Sequence, residues 1–205
     1  MKNREYRNMA FEVKEDGAEP SFLVEGYAST FQPYKLLEID GVDYFEQIEP
    51  RAFDDADMDD VVYRIDHEGK VYARSSAGTI RLDIDEHGLH QVTDLGRTKA
   101  GQEHFEEIKA GNYPQMSFAF TVAEDHFDSD TNTRIIDRID KVFDISAVSF
   151  PANPTTELHV RNYFNGVIEA EKAAKAERLK AEEARRSDLK HRHELAETLR
   201  KELSK

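Results

Sequence analysis

A hydroxyl, an imidazole and a carboxylate stand at three points of this sequence where the surrounding residues read as strands. Ser117 is the hydroxyl within Met116-Ser117-Phe118-Ala119-Phe120. His67 closes the run Val61-Val62-Tyr63-Arg64-Ile65-Asp66-His67, and Asp144 lies inside Val142-Phe143-Asp144-Ile145-Ser146-Ala147-Val148. These are the parts of a nucleophile, the base that takes its proton, and the group that orients the base, which together perform acyl transfer. Each also has a plainer reading. A serine in a strand is most often a small polar residue on a pleat, and His67, one of eight histidines, reads as a surface residue between Asp66 and Glu68. Asp144 resists the plain reading. A carboxylate among Val, Phe, Ile and Ala costs on the order of several kcal/mol if buried without a partner. An imidazole N–H is one partner that would hold it there. Ser146, two residues on and therefore on the same strand face, offers a supporting hydrogen bond.

Composition narrows the alternatives. A chain of 205 residues holds one domain with a sizeable core plus an appendage. Its 39% hydrophobic and 34% charged residues make it polar on average, yet not poor enough in apolar groups to be disordered throughout. There is no cysteine, which excludes disulfides, zinc–thiolate sites and a cysteine nucleophile. No run approaches membrane-spanning length, and residues 1–10 lack the apolar core of a signal peptide, so synthesis in the cytosol is expected. Residues 166–205 carry 11 Lys and Arg against 9 Asp and Glu, leaving 17 against 33 in the first 165, a net of −16 there. So acidic a body disfavours nucleic acid, whose phosphates are gripped by Lys and Arg, and points to a protein partner.

The elements that must position the three groups follow from the chain in order. Residues 21–31 read as a strand interrupted at Gly26, with Phe11 and Val13 on a pairing strand, residues 14–20 as a turn-rich connection, and 32–41 as a loop. Residues 44–48 form another short apolar run. Residues 54–60 hold five aspartates in seven positions. They lack the glycine and distal glutamate of an EF-hand and read as a solvated loop or the start of a short helix. A strand over 61–65 leads to His67. Residues 78–84 and 89–94 flank the turn Asp85-Glu86-His87-Gly88 and predict a hairpin. Thr98 is the N-cap of a predicted helix over 98–110 that buries Phe105 and Ile108 and stops at Gly111. The serine strand covers 116–123, a polar turn 128–133, and a long strand region 134–150, broken near Asp140 and ended by Pro151-Ala152-Asn153-Pro154. Residues 156–163 read as a last strand or a short helix. Beyond Gly166 there is neither Gly nor Pro, and Ala, Glu, Lys, Arg and a few leucines predict one long, charged helical arm.

Several stretches carry more information as an ordered set than alone. They are Ile48-Glu49-Pro50-Arg51-Ala52-Phe53, Asp66-His67-Glu68, Ser76-Ala77-Gly78-Thr79-Ile80-Arg81-Leu82 and Asp85-Glu86-His87-Gly88-Leu89. They continue with Ile108-Lys109-Ala110-Gly111, Met116-Ser117-Phe118-Ala119-Phe120, and Asp144-Ile145-Ser146-Ala147-Val148 followed by Pro151-Ala152-Asn153-Pro154. The set resembles the tailed-phage prohead maturation proteases of the HK97 family, over residues 21 to about 158. The resemblance implies a serine endopeptidase of α+β, mainly β class, with a β-barrel core flanked by helices, similar to the herpesvirus assembly protease. Matched position by position, Ser117 would be the nucleophile, His67 the general base and Asp144 the third member. The family usually has Asn before the histidine and Asp after it, where this chain has Asp66 and Glu68. It commonly has Gly where Ala119 stands and Glu where Asp144 stands, which shortens the carboxylate's reach by one methylene.

The same resemblance implies a protease domain over 1–165 and an arm over 166–205 that targets the enzyme or is removed by self-cleavage. Backbone N–H groups at Ala152 and Asn153, following the Asp144 strand, are the expected oxyanion donors. Substrates would be the major capsid protein and scaffold segments, inside the prohead in the host cytoplasm, with a homo-oligomer as a further expectation. No cofactor, metal, nucleic acid or membrane is implied. Two other classes compete with this reading. A non-catalytic scaffold protein could keep the fold and arm, and a metal-dependent hydrolase could use His67 with the aspartates of 54–60.

Overall fold

The computed structural model describes residues 4–9, 11–13, 22–149 and 154–203, with backbone alone for 11–13, 154–160, 171 and 189–203. The chain divides into two compact units, Met1–Val160 and Arg161–Lys205. The first is built mainly of strands, and the second is helical.

One strand organises the first unit. β11 (Thr133–Val148) is 16 residues long and pairs antiparallel along one edge with β10 (Gln115–Asp128), which in turn pairs with β1 (Glu5–Met9). On its other edge β11 takes two short partners end to end, both parallel. β5 (Val42–Ile48) pairs with Thr133 to Ile136, and β6 (Val62–Ile65) pairs with Asp144 to Ala147. β4 (Tyr34–Ile39) extends β5, and β7 (Glu68–Arg74) extends β6, which completes a seven-stranded sheet. A four-stranded antiparallel sheet holds β2 (Phe11–Val13), β3 (Leu23–Thr30), β9 (Gly88–Asp94) and β8 (Ile80–Ile84), in the order β2-β3-β9-β8. No closed barrel is found among the described residues; the strands pair as these two sheets.

The chain between β5 and β6 runs along β11 as a hydrogen-bonded loop. Asp57 N–H donates to the Asp140 carbonyl, and Val142 N–H donates back to the Asp57 carbonyl. The expected break near Asp140 is therefore a change of partner, accompanied by register shifts against β10 between Ala119 and Asp125. The core lies against these strands. Phe53, Phe118, Phe120, Ile136, Ile139 and Ile145 are almost wholly buried, and the rings of Phe118 and Phe120 stack 4.5 Å apart. Each such side chain contributes roughly 1.5–3 kcal/mol by leaving water. α1 (Lys99–Lys109) starts where Thr98 Oγ1 accepts from Gly101 N–H, buries Phe105 and Ile108, and ends ahead of Gly111 at φ 85°, as its sequence signals predict.

Two expectations are corrected, and the open choice between strand and helix after residue 156 is decided. Residues 34–39 are a strand, not a loop, because Asp40 and Gly41, at φ 52° and 79°, form a tight hairpin turn into β5. β3 runs unbroken through Gly26, and its irregularity falls between Tyr27 and Ser29. Residues 156–163 are helical, within α2 (Pro154–Leu203). In the second unit the side chains from 172 to 188 are exposed, Leu179 included at 53%. Residues 14–20 lie outside the described residues. No helix among the described residues is long and apolar enough to cross a membrane.

Candidate active site

Strand alternation aims Ser117. Met116, Phe118 and Phe120 join the apolar core, so Ser117 and Ala119 face the other side of β10. Register then fixes their neighbours: Ser146 lies opposite Ser117, and Asp144 opposite Ala119, so both β11 residues share the serine's face. On the far side of β10, Asn8 lies opposite Ser117 and Tyr6 opposite Ala119.

His67 arrives differently. β6 runs parallel to β11 with Ile65 beside Ala147, and Ile65 then faces Glu68 across a two-residue turn made of Asp66 and His67. Both turn residues have positive φ, 48° and 63°. A tight right-twisted hairpin demands this at its two central positions, and Asn, Asp and His enter the region more readily than most side chains. The turn sets the imidazole against the face shared by Ser117 and Asp144.

The three groups meet at hydrogen-bonding distance. His67 Nδ1 is 2.6 Å from Asp144 Oδ1, and Nε2 is 2.7 Å from Ser117 Oγ. An ionised carboxylate can only accept, so Nδ1 carries the proton and Nε2 is the acceptor for the Ser117 hydroxyl. Ser146 Oγ donates to Asp144 Oδ1 at 2.9 Å and accepts the His67 backbone N–H at 3.2 Å, so one hydroxyl ties the carboxylate to the backbone of the base. Ser117 is 0% exposed and Asp144 2%. In such a site the charge on Asp144 is screened little by water, which strengthens its hold on the imidazole.

The structure brings together Ser117, His67 and Asp144, with Ser146 in the supporting place its spacing suggested. Asp for Glu does not leave the third group short, since the carboxylate meets Nδ1 directly. Ala152 and Asn153 lie outside the described residues. Two features were not read from the sequence. The Tyr6 ring lies 4.4 Å from the His67 ring, on a strand too short to announce itself. The Asp-His pair at the turn was legible in principle, as two residues tolerant of positive φ between β-rich runs. Three of the five aspartates of 54–60 are engaged elsewhere: Asp54 binds Arg51 at 2.8 Å, Asp57 binds Lys141 at 2.5 Å, and Asp60 binds Arg74 at 2.6 Å and Ser76 at 2.7 Å. Among the described residues no group of three or more His, Cys, Asp or Glu side chains is placed to hold a metal ion.

Residues 9–167 match the family model of the caudovirus prohead serine proteases. The chain belongs to this family. The match takes in all three hydrogen-bonded groups and makes the chain a phage prohead protease of the serine-peptidase class, a hydrolase of capsid maturation. No curated protein and no solved structure matches it. Apart from the three hydrogen-bonded groups, this prohead protease buries a second histidine, His104 on α1, against Tyr63, Tyr72 and Tyr113. Burial pushes its pKa below the ordinary imidazole value despite Glu107 nearby. His104 lies on α1, a different element from those that carry the three groups.

Proposed function

We propose that this prohead protease hydrolyses peptide bonds by acyl transfer, with Ser117 as nucleophile, His67 as general base and Asp144 as the group that orients it. The chain of two short hydrogen bonds from Asp144 through His67 to Ser117 carries the proposal. Ser117 Oγ attacks the carbonyl carbon as its proton passes to His67 Nε2. The imidazolium, held by Asp144, returns that proton to the leaving amine as the C–N bond breaks. A water then attacks the acyl-serine ester, gives its proton to Nε2, and the Ser117 oxygen leaves with that proton. The developing oxyanion needs backbone N–H donors. The stretch at Ala152 and Asn153 is the proposed source, since it directly follows the strand bearing Asp144.

The finer biology is part of the same proposal. The ordered motifs favour the HK97 type, with a core similar to the herpesvirus assembly protease. Substrates are the major capsid protein, scaffold segments and the protease itself, cleaved inside the prohead in the host cytoplasm. The protease domain spans 1–165, and the arm over 166–205 targets the enzyme or is removed by self-cleavage; its exposed, charged side chains suit either role. The enzyme associates with copies of itself. A net charge of −16 over the first 165 residues speaks against a nucleic-acid partner.

The test is co-expression with the neighbouring capsid-protein gene, comparing wild type with Ser117→Ala by intact mass. Cleavage by wild type alone is expected, and gives the cleavage site in the same spectrum. Cleavage by both would place the chemistry elsewhere. Cleavage by neither, with particles still assembling and no labelling by a serine-directed probe, would make the protein a scaffold.

A further inference from the structure

The mechanism uses the His67 side chain and leaves unexplained how its backbone is held where it is. His67 occupies the position at which a two-residue hairpin turn usually carries glycine, and it does so at φ 63° beside Asp66 at φ 48°. Backbone conformations of this kind persist where the surroundings over-determine them. Here the surroundings are Ser146 and Ala147 at the end of β11 and Ser149 just beyond it. The Asp66 backbone N–H donates to the Ala147 carbonyl at 3.0 Å, and the His67 N–H donates to Ser146 Oγ at 3.2 Å. The Asp66 carboxylate accepts the Ser149 N–H at 2.9 Å and meets Ser149 Oγ through both oxygens, at 3.1 and 3.0 Å. Two of these bonds come from the backbone of the turn and would form with many side chains at position 66. The grip of Ser149 depends on an acceptor there.

We infer that Asp66 and Ser149 form a latch that fixes the turn and thereby aims His67 Nε2 at Ser117. They are positioning residues: neither touches the reacting atoms. Both ends of the latch belong to the chain segments that carry the base and its orienting carboxylate, Ser149 lying five residues beyond Asp144. The latch thus locks the separation between the two elements whose side chains must meet at 2.6 Å. Asp and Asn are side chains that meet both demands of this position. Both side chains present an oxygen to Ser149 and both tolerate positive φ. The inference rests on the reading of His67 as the base.

The experiment measures inactivation of the full chain by a fluorophosphonate probe, resolving the maximal rate from the half-saturating concentration, with thermal melting beside it. Asp66→Ala is expected to lower the maximal rate about 10- to 100-fold, the scale of a roughly 1 Å misplacement, with half-saturation within about twofold. Asp66→Gly removes the backbone strain and the latch together, and is expected to fall with Ala. Asp66→Asn keeps the acceptor and is expected within about threefold of wild type. Ser149→Ala loses only the hydroxyl contact and is expected to fall less than Asp66→Ala. If Asp66→Gly reacts like wild type, the turn needs only its φ angles and the latch is overturned. The same holds if Asp66→Asn falls as far as Ala. Should Asp66→Ala fail to fold, the Gly and Asn pair decides alone. Ser117→Ala separates the two claims. If it still labels at the wild-type rate, the catalytic reading itself fails. If it is inert while the Asp66 variants match wild type, only the latch fails.

Discussion

The two ends of β11 each bury a polar network, and they are built to opposite effect. At the Thr133 end, Arg134 binds Glu5, Glu46 and Asp125, and Arg7 binds Glu46 and Glu5, with Tyr34 donating to Glu46. Glu46 is 0% exposed, Arg7 3% and Arg134 6%. Burial opposes the charges on Glu5, Arg7 and Arg134, yet the pairing wins. Burial would raise Glu5, but Arg7 and Arg134 bring it down to about 2, while Glu46 and Glu5 push Arg7 and Arg134 upward against their own desolvation. Glu5 is thereby held ionised, and Arg7 and Arg134 protonated, at neutral pH. At the Asp144 end the carboxylate meets one imidazole and the Ser146 hydroxyl, the imidazole meets the Ser117 hydroxyl, and none of these bonding partners, among the described residues, is a Lys or Arg. Imidazole is the side-chain type that ordinarily changes charge between about pH 5 and 8. One strand therefore holds a network saturated with charge, which binds, and a network centred on an imidazole, which the proposed mechanism uses. Burial is common to both; the balance of charge separates structure from chemistry.

The comparison breaks most readily at the reactive end. Ser117→Ala is expected to cut the rate of capsid-protein cleavage by roughly 10³- to 10⁶-fold, and Asp144→Asn by roughly 10²- to 10⁴-fold, through loss of the nucleophile and of the correct tautomer. Neither replacement leaves a buried charge unpaired, so urea unfolding midpoints should move little. A large loss of stability in Ser117→Ala would mean that the reactive network is also a structural one. Glu46→Ala should behave in reverse. It strands two buried guanidinium groups with fewer anions, which costs about 3–5 kcal/mol in equilibrium unfolding. A Glu46→Ala protein as stable as wild type would show that water or the remaining carboxylates satisfy the network.

The sequence showed the two networks unequally, for physical reasons. Asp144 was visible because a carboxylate within an apolar run demands an explanation, and Ser146 because residues two apart share a strand face. The helix over 99–109 announced itself through Thr98 and Gly111. The Arg7, Glu46 and Arg134 network gave no such sign. Its members sit among other charged residues, and only the pairing of β1 with β10 and of β5 with β11 gathers them. β4 is hidden in the same way, because Tyr34-Lys35-Leu36-Leu37-Glu38-Ile39 does not alternate cleanly, and Asp40-Gly41 is the one local mark of the hairpin. Closure of a barrel is a long-range property of sheet edges, which local pattern does not encode. The three groups of the proposed triad were legible as residue types, and bringing them together required the β6–β7 turn and the register of three strands.

The structural end makes a prediction of its own in acid. Glu5 is held at about 2, against an ordinary value near 4.5. A carboxylate whose folded-state pKa is depressed contributes stability above its unfolded value and loses it as pH falls toward the folded one. Glu5 should therefore contribute about 3 kcal/mol above pH ~5, and that contribution should vanish progressively between about pH 4.5 and 2. Glu5→Gln removes the titrating group. In urea unfolding across this window, wild type should be the more stable at neutral pH, and the gap between the two should close as pH falls toward about 2. A gap that stays constant would mean that Glu5 acts through packing alone, and that β1 owes its place beside Ser117 to its backbone pairing rather than to the ion network. A gap that closes would tie the strand carrying Tyr6, and with it the cover over His67, to the charge-saturated end of β11.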